Sequence, residues 1–388
     1  MITRQRLATF GIPTVATATI VTAALLTTGG ASPPEVSSPP EPIQTIPTIP
    51  TIATTGPHRI DVVFAVDTTG SMGGLLEGAK RTVWSIASHI RATDPNADVR
   101  IGLVAYRDVT DNYVTKPFAL TTDLDSVYAE LASYTASGGG DFPEHVDAAI
   151  DVSLHKMLWR SDAKKLLFVV GDAPPHPEPV GGVPSHVALA REAADSGIVI
   201  NTIRCGDNAS AQVAFQRIAE LGHGDFSTIR QDGGVRQIAT PYDNEIATLS
   251  AQVDQTAIIV GGDGVRGRVE ASRAANEAAP AAAKADRAAY YNTGKGAGMV
   301  RSADDLVGGY ATGTMTVEGV ADSDLPADLR GKDKAEVKAE VEHRVAQRKE
   351  LQGKIIELSK QRAEFLSKQA KSDGFDAKVK STVEKQIK

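Results

Sequence analysis

The chain has a single cysteine, Cys205, which excludes an internal disulfide framework and any zinc cage built on thiolates. An excess of positive charge is also missing. Lys and Arg number 41 against 48 Asp and Glu, a formal net charge of −7, so the electrostatic footprint of a nucleic-acid binder is absent. Stability must come from packing or from an oxygen-ligated metal. Hydrophobic residues at 41% and charged residues at 23% are close to globular averages and exclude a collagenous or wholly disordered chain. With about 150 residues per domain, 388 residues correspond to two or three folded units.

The N-terminus reads as an address. Arg4 and Arg6 open it, no further charge follows until Glu35, and the most apolar stretch runs from Ile12 to Leu26. Small residues at Gly29 and Ala31 complete a secretory signal with cleavage after Ala31. The uncharged run from Leu7 is also about long enough to span a bilayer, although Gly11, Pro13 and many threonines dilute it, so an uncleaved anchor stays open. No Cys stands near enough for a lipoprotein anchor. Either way the remainder is expected beyond the cytoplasmic membrane, secreted, periplasmic or on the cell surface, touching the membrane only through this segment if it is uncleaved. Cys205 ends an apolar run, so the lone thiol is expected to be buried. Residues 32–57 are mostly Pro, Ser, Thr and Ile, with the tandem TIPTIPTI, and read as a semi-rigid, polyproline-like stalk.

Apolar runs then alternate with helical stretches. IDVVFAV (60–66), VRIGLVAY (99–106), KLLFVV (165–170) and IVINTI (198–203) are β-branched runs of the kind that parallel sheets bury on both faces, and residues 225–229 close the sheet edge. Helical spacing predicts helices over 75–90, 127–134, 143–158, 187–194 and 213–221. Strands separated by helices mean βαβ crossovers and an α/β fold, a doubly wound, mostly parallel sheet flanked by helices.

In such a sheet ligands bind beyond the carboxyl ends of the strands. The first strand runs into Asp67-Thr68-Thr69-Gly70-Ser71, the central one into Gly171-Asp172-Ala173-Pro174, and the loop before the 143–158 helix reads Gly138-Gly139-Gly140-Asp141-Phe142-Pro143-Glu144. Asp67, Thr69 and Ser71 alternate along an extended turn, so their oxygens can share one side. Hard carboxylate and hydroxyl oxygens without sulfur suit Mg²⁺, Mn²⁺ or Ca²⁺ rather than zinc or copper. The competing explanation for each loop is a helix N-cap, since Asp, Ser and Thr are common there. Three such loops at successive strand ends favour the metal.

These residues resemble the von Willebrand factor type A domain over about residues 58–245. Its metal-ion-dependent adhesion site uses an Asp-x-Ser-x-Ser turn, matched here by Asp67, Thr69 and Ser71 with Thr in place of the first Ser, plus ligands from two later loops. Asp172 in VVGDAPPH matches the third loop. The second loop reads DFPE and resembles the Asp-x-Pro-Glu loop of integrin beta I-like domains, which implies Glu144 as the ligand, with Asp141 as the alternative. RIGLVAYRD resembles the strand whose terminal aspartate helps form a neighbouring cation site, which implies a second site from Asp108, Asp141 and Glu144. The competing reading of Asp108 is a surface residue paired with Arg107 or Lys116. Gly73 and Gly74 stand where the integrins' regulatory cation site would need acids. The run AYRDV, GGGDFPEHV, GDAPPH also resembles type A domains attached to alpha-kinases, but no kinase element accompanies it.

Competing chemistries are weak. His145 and His176 border the rim, yet neither has the i, i+4 histidine partner of a zinc protease, and Ser71 has no base and acid around it. Catalysis is not indicated. Gly262 to Gly267 formally matches G-x-G-x-x-G, but an Ala-rich polar helix to about Tyr290 follows, and a glycine turn before a helix is the better reading. Tyr290, Tyr291 and residues 306–310 are candidates for docking this region, residues 246–332, onto the type A domain. Residues 333–388 begin with a charged helix over 334–371 whose apolar stripe packs as an antiparallel hairpin or against another chain; drifting spacing and Gly353 favour the hairpin. The leading expectation is an exported binding protein, not an enzyme. It holds Mg²⁺ (or Mn²⁺ or Ca²⁺) through Asp67, Thr69, Ser71, Glu144 and Asp172, and offers an open position to a carboxylate of a partner protein. Two alternatives remain beside it: an ion that merely staples the loops while the C-terminal helices bind the partner, and a metal- or nucleotide-dependent enzyme. Oligomeric state stays open.

Overall fold

Strand β1 (Arg59–Asp67) is buried from Ile60 onward because it hydrogen-bonds in parallel on both sides, to β2 (Asp98–Tyr106) and β4 (Lys164–Gly171), and is covered on both faces. A computed structural model of the chain describes residues 58–388 apart from 95, 141, 236–237, 293–302, 370–372 and 388. The export segment and stalk expected over residues 1–57 lie outside the described residues, as does Asp141. Beyond β4, strands β5 (Ile198–Cys205) and β6 (His223–Ile229) continue the parallel sheet. On the other edge β3 (Thr115–Thr121) runs antiparallel to β2, giving the six-stranded order β3-β2-β1-β4-β5-β6. The sequence reading missed β3. It is half-exposed and carries Pro117, which an edge strand tolerates and a buried run would not.

Alternation along β1 divides the core. Val62, Phe64 and Val66 face helices α1 (Gly73–Thr93) and α2 (Leu124–Ser133). Val63 and Ala65 face α3 (Val146–His155), α4 (His186–Asp195) and α5 (Ala209–Leu221), beside Val104, Val169 and Phe215. The result is the expected doubly wound layout. Strand order reverses between β1 and β4, the switch point beyond whose carboxyl ends ligands bind in such sheets. Cys205 is buried at the end of β5.

The C-terminal part is helical: α6 (Asp243–Gln255), α7 (Asp263–Ala278), α8 (Ala281–Asn292), α9 (Leu306–Thr312), α10 (Lys334–Ser367) and α11 (Phe375–Ile387). Gly262 precedes α7, and Gly264 and Gly267 lie within it, so the glycine run does not form the strand-to-helix turn of a dinucleotide site. Pro280 divides the helix expected to run to Tyr290 into α7 and α8. On α8, Tyr290 and Tyr291 each place a ring 5.7 Å from Trp84 of α1. Leu306 and Val307 instead join Ile258, Val337 and Val341 in a separate small core.

Helix α10 packs within its own chain, against more than the single preceding helix that a hairpin would use. It lies against α6, α8 and α9 of its own chain, and Gly353 does not break it. Its buried stripe includes two arginines: Arg348 reaches Asp305 at 2.6 Å, and Arg362 reaches Asp243 at 2.6 Å and Asp286 at 2.7 Å. Among the described residues no helix is long and apolar enough to cross a membrane.

The last helix, α11, returns to the sheet. Phe375, Val379 and Val383 belong to the same core as Phe64 and Trp84, with the Phe375 ring 6.1 Å from that of Phe64. Phe375→Ala should therefore destabilise the whole chain by about 3–5 kcal/mol in denaturant titration, as for other buried phenylalanines. A loss below about 1 kcal/mol, typical of surface positions, would mean that α11 is not part of this core.

Candidate cation site at the strand ends

Backbone hydrogen bonds draw three loops together at these strand ends. Gly70 N–H donates to Gly138 O at 3.1 Å and Ser137 N–H to Thr68 O at 3.1 Å, joining the turn after β1 to the glycine loop. Glu144 N–H donates to Pro174 O at 3.0 Å, joining the end of that loop to the one after β4. The approach is close: a Cβ on Gly139, whose φ is +66°, would stand 2.6 Å from Thr69 Cβ and 2.7 Å from Glu144 Oε1. Only glycine fits there.

Asp67, Thr69, Glu144 and Asp172 are buried at this rim. Asp67 Oδ1 accepts from Thr69 N–H at 2.8 Å and Thr69 Oγ1–H at 2.7 Å, and Thr69 Oγ1 lies 3.4 Å from Ser71 Oγ. This local turn is not a helix cap. Nor does Asp172 cap a helix; α4 is capped by Ser185. Asp172 Oδ2 accepts from Gln231 Nε2 at 2.6 Å, and the same amide also donates to Ser71 O at 3.1 Å. Asp67 Oδ2, Glu144 Oε2 and Asp172 Oδ1, one oxygen from each loop, are buried with no hydrogen-bond partner.

Such oxygens are costly to leave unpaired. Burial, opposed by the Thr69 hydrogen bonds and reinforced by the charge of Asp172, pushes the Asp67 carboxyl up to about 7. Burial, with the charges of Asp67, Asp108, Asp111 and Asp172, pushes Glu144 up to about 9. Strand β1 supplies its own comparison. At its other end Asp61 is equally buried, yet Arg100 and Arg160 pair with it at 2.6 and 2.7 Å and, despite desolvation, hold its carboxyl below the usual range. Among the described residues no Lys or Arg forms an ion pair with Asp67, Glu144 or Asp172, and Arg107 only tempers the rise at Asp67 through its charge.

The donors fit a hard divalent ion: three orphaned carboxylate oxygens and two neighbouring hydroxyls. Among the described residues no group of three or more His, Cys, Asp or Glu side chains is drawn together closely enough to hold a metal ion. Hydroxyls and water must therefore complete any coordination shell.

The neighbouring residues divide differently from expectation. Asp108 is buried rather than on the surface, and its partner is His176 Nε2 at 2.6 Å rather than Arg107 or Lys116. Arg107 instead donates to Thr135 O at 2.8 Å, and Lys116 pairs with Glu130 at 2.7 Å. His145 caps α3, its Nδ1 accepting from Ala148 N–H. Two residues escaped the sequence reading. Gln231 comes from the loop after β6, distant in sequence and without charge, and no motif marks it. Asp111, which accepts from Gly139 N–H at 3.1 Å, lies three residues past Asp108, in an acidic loop that could have drawn notice.

Residues 61–208 match the von Willebrand factor A domain family, so this central stretch is such a domain; members often mediate metal-dependent protein interactions. Among curated proteins, an ariadne-like RING finger protein of Acanthamoeba polyphaga mimivirus is 30% identical over 30% of this chain and 11% of its own length. The alpha-protein kinase vwkA of Dictyostelium discoideum is 27% identical over 30% of this chain and 19% of its own. The chain thus spans less than a fifth of these relatives' length. Among solved structures, proximal thread matrix protein 1 from the mussel byssus, with zinc in its MIDAS motif, shares 15% identity over 46% of this chain and 43% of that one, with a TM-score of 0.36. That score is too low to bear on function.

Because Asp67 and Glu144 hold protons more tightly folded than unfolded, their contribution to metal-free stability is full below the ordinary carboxylate range. It is lost as pH rises through about 7 and about 9. Glu144→Gln should therefore raise the Tm of the chelated protein at pH 8, by about 2–4 °C per kcal/mol of relieved cost. Mg²⁺ should then raise the Tm of the wild type more than that of the variant. A lower Tm for the variant in chelator would show that Glu144 is not frustrated.

Proposed function

We propose that the chain is a metal-dependent binding protein whose ion sits at the rim between β1 and β4. Asp67, Thr69 and Ser71 hold it from one turn, and Glu144 and Asp172 hold it directly or through water. The observation that carries this reading is a set of three buried, unpartnered carboxylate oxygens, one on each of three loops that backbone hydrogen bonds join. Their hard character favours Mg²⁺, with Mn²⁺ or Ca²⁺ as substitutes. The bound ion supplies Lewis acidity at an open position, and the ligand that suits it is a carboxylate of a partner protein. Binding rather than turnover suits the site: among the described residues Ser71 has no hydrogen-bonded base, and His176 and His145 are engaged with Asp108 and with the backbone of α3. Export rests on the cationic, then apolar, N-terminal sequence.

The alternative in which the C-terminal helices capture the partner finds less support. Helix α10 buries its stripe against its own chain, and α11 fills the sheet core. Removing residues from Lys334 onward would open that core, so such a deletion cannot separate the two readings.

Calorimetric titration of the purified chain with Mg²⁺, Mn²⁺ and Ca²⁺ tests the site. A stoichiometry near one, abolished by Asp67→Ala and weakened by Glu144→Ala, is the expected result. A stoichiometry near two would add the site at Asp108 and Asp141. Binding that survives Asp67→Ala unchanged would place the ion elsewhere and overturn the proposal.

A further inference from the structure

Phe142 is 58% exposed, and it is the only exposed aromatic side chain among the described residues. It lies two residues before Glu144, in the loop that crosses the cation rim. Val109, 38% exposed, follows Asp108 on the adjoining loop, and Asp111 Oδ2 accepting from Gly139 N–H at 3.1 Å ties the two loops together. Neither side chain belongs to any hydrophobic core of the protein. The other exposed large apolar residues, Leu158, Val213 and Ile356, are scattered singly beyond the end of α3, on α5 and on α10, which is ordinary for a protein surface.

Isolated exposure needs no explanation, but here an aromatic and a branched side chain stand on two loops joined by a hydrogen bond, each within two residues of a buried acid, Glu144 or Asp108, where a docked partner would cover them as it does the anchors of a binding hot spot. Apolar anchors there exclude water from the polar contact at their centre, and a carboxylate–cation contact gains strength as water leaves. We infer that Phe142 and Val109 form an apolar shelf beside the cation site, and that the partner is an acidic peptide segment carrying an aliphatic or aromatic residue next to its metal-binding Asp or Glu. The inference rests on the proposed function, because the acid must reach the ion for its neighbour to reach the shelf. Charge selects the acid, and the shelf selects what stands beside it. Phe142 is mostly in solvent, so its replacement leaves the cores described above intact.

The test is selection of displayed random dodecapeptides on the full chain in Mg²⁺ with elution by EDTA, followed by affinity measurement of individual peptides. Wild type should yield sequences with Asp or Glu flanked by Leu, Ile, Met or Phe. Those peptides should bind Phe142→Ala at least about tenfold more weakly, a hot-spot-sized loss, while its calorimetric Mg²⁺ affinity is unchanged; Val109→Ser should weaken them in the same direction. Acidic, EDTA-sensitive peptides with random neighbours, or with affinity indifferent to Phe142→Ala, would overturn the shelf and leave the cation site standing. Absence of any EDTA-sensitive acidic peptide would overturn the shelf together with the reading beneath it.

Discussion

Strand β1 sets the constraint on which the rest depends. Its parallel pairing with β2 and β4 leaves no edge, so both faces must be apolar and covered by helices, and every residue from Ile60 to Asp67 is buried. The same pairing brings the carboxyl ends of β1 and β4 side by side, with Val66 opposite Val170. Loops leaving those ends have nowhere to go except one rim. An acid placed at the last position of such a strand is removed from water by the geometry of the sheet, and its charge has to be met by something other than solvent.

Elsewhere the protein meets that demand from its own chain. Arg287 on α8 bonds Asp125 of α2 and Asp254 of α6, and Arg362 of α10 joins Asp243 to Asp286. Asp61 has Arg100 and Arg160. Buried pairs of this kind add little net stability, yet breaking one is expensive, so they fix which helices lie together. The rim acids are the exception. Their direct partners are hydroxyl, backbone and glutamine donors, with Arg107 acting on Asp67 only through its charge, and a neutral donor such as Gln231 leaves the negative charge available to an ion.

Much of the sheet was legible because buried parallel strands write themselves as β-branched runs, and the carboxyl-end rule then directs attention to Asp67 and Asp172. What escaped has a physical reason in each case. β3 lacks an apolar run because it is half in solvent. The partner of Asp108 is His176, brought close by folding and separated by 68 residues, a distance at which no spacing argument operates. Gly74, read as a missing acid, is glycine because the loop after β6 leans on it: a Cβ there would stand 2.8 Å from Asp232 Cα. The stripe on α10 was visible, but a stripe names a buried face and not the helices that bury it.

That leaning loop carries the site's debt to the end of the chain. Gln231 lies in it, one residue before Asp232, and its amide holds both Asp172 and the backbone of Ser71. The loop is held in turn by Phe375, whose N–H donates to Gly233 O at 2.8 Å while its ring packs towards Phe64. Lys385 reaches Asp225 of β6 at 2.7 Å, and Gln386 exchanges hydrogen bonds with Asn201 of β5. The final helix is therefore a structural element of the central domain despite the five helices, α6 to α10, inserted between it and β6. The rim is shaped by residues from both ends of the folded chain, and the C-terminal helical region closes back on the sheet that positions the acids.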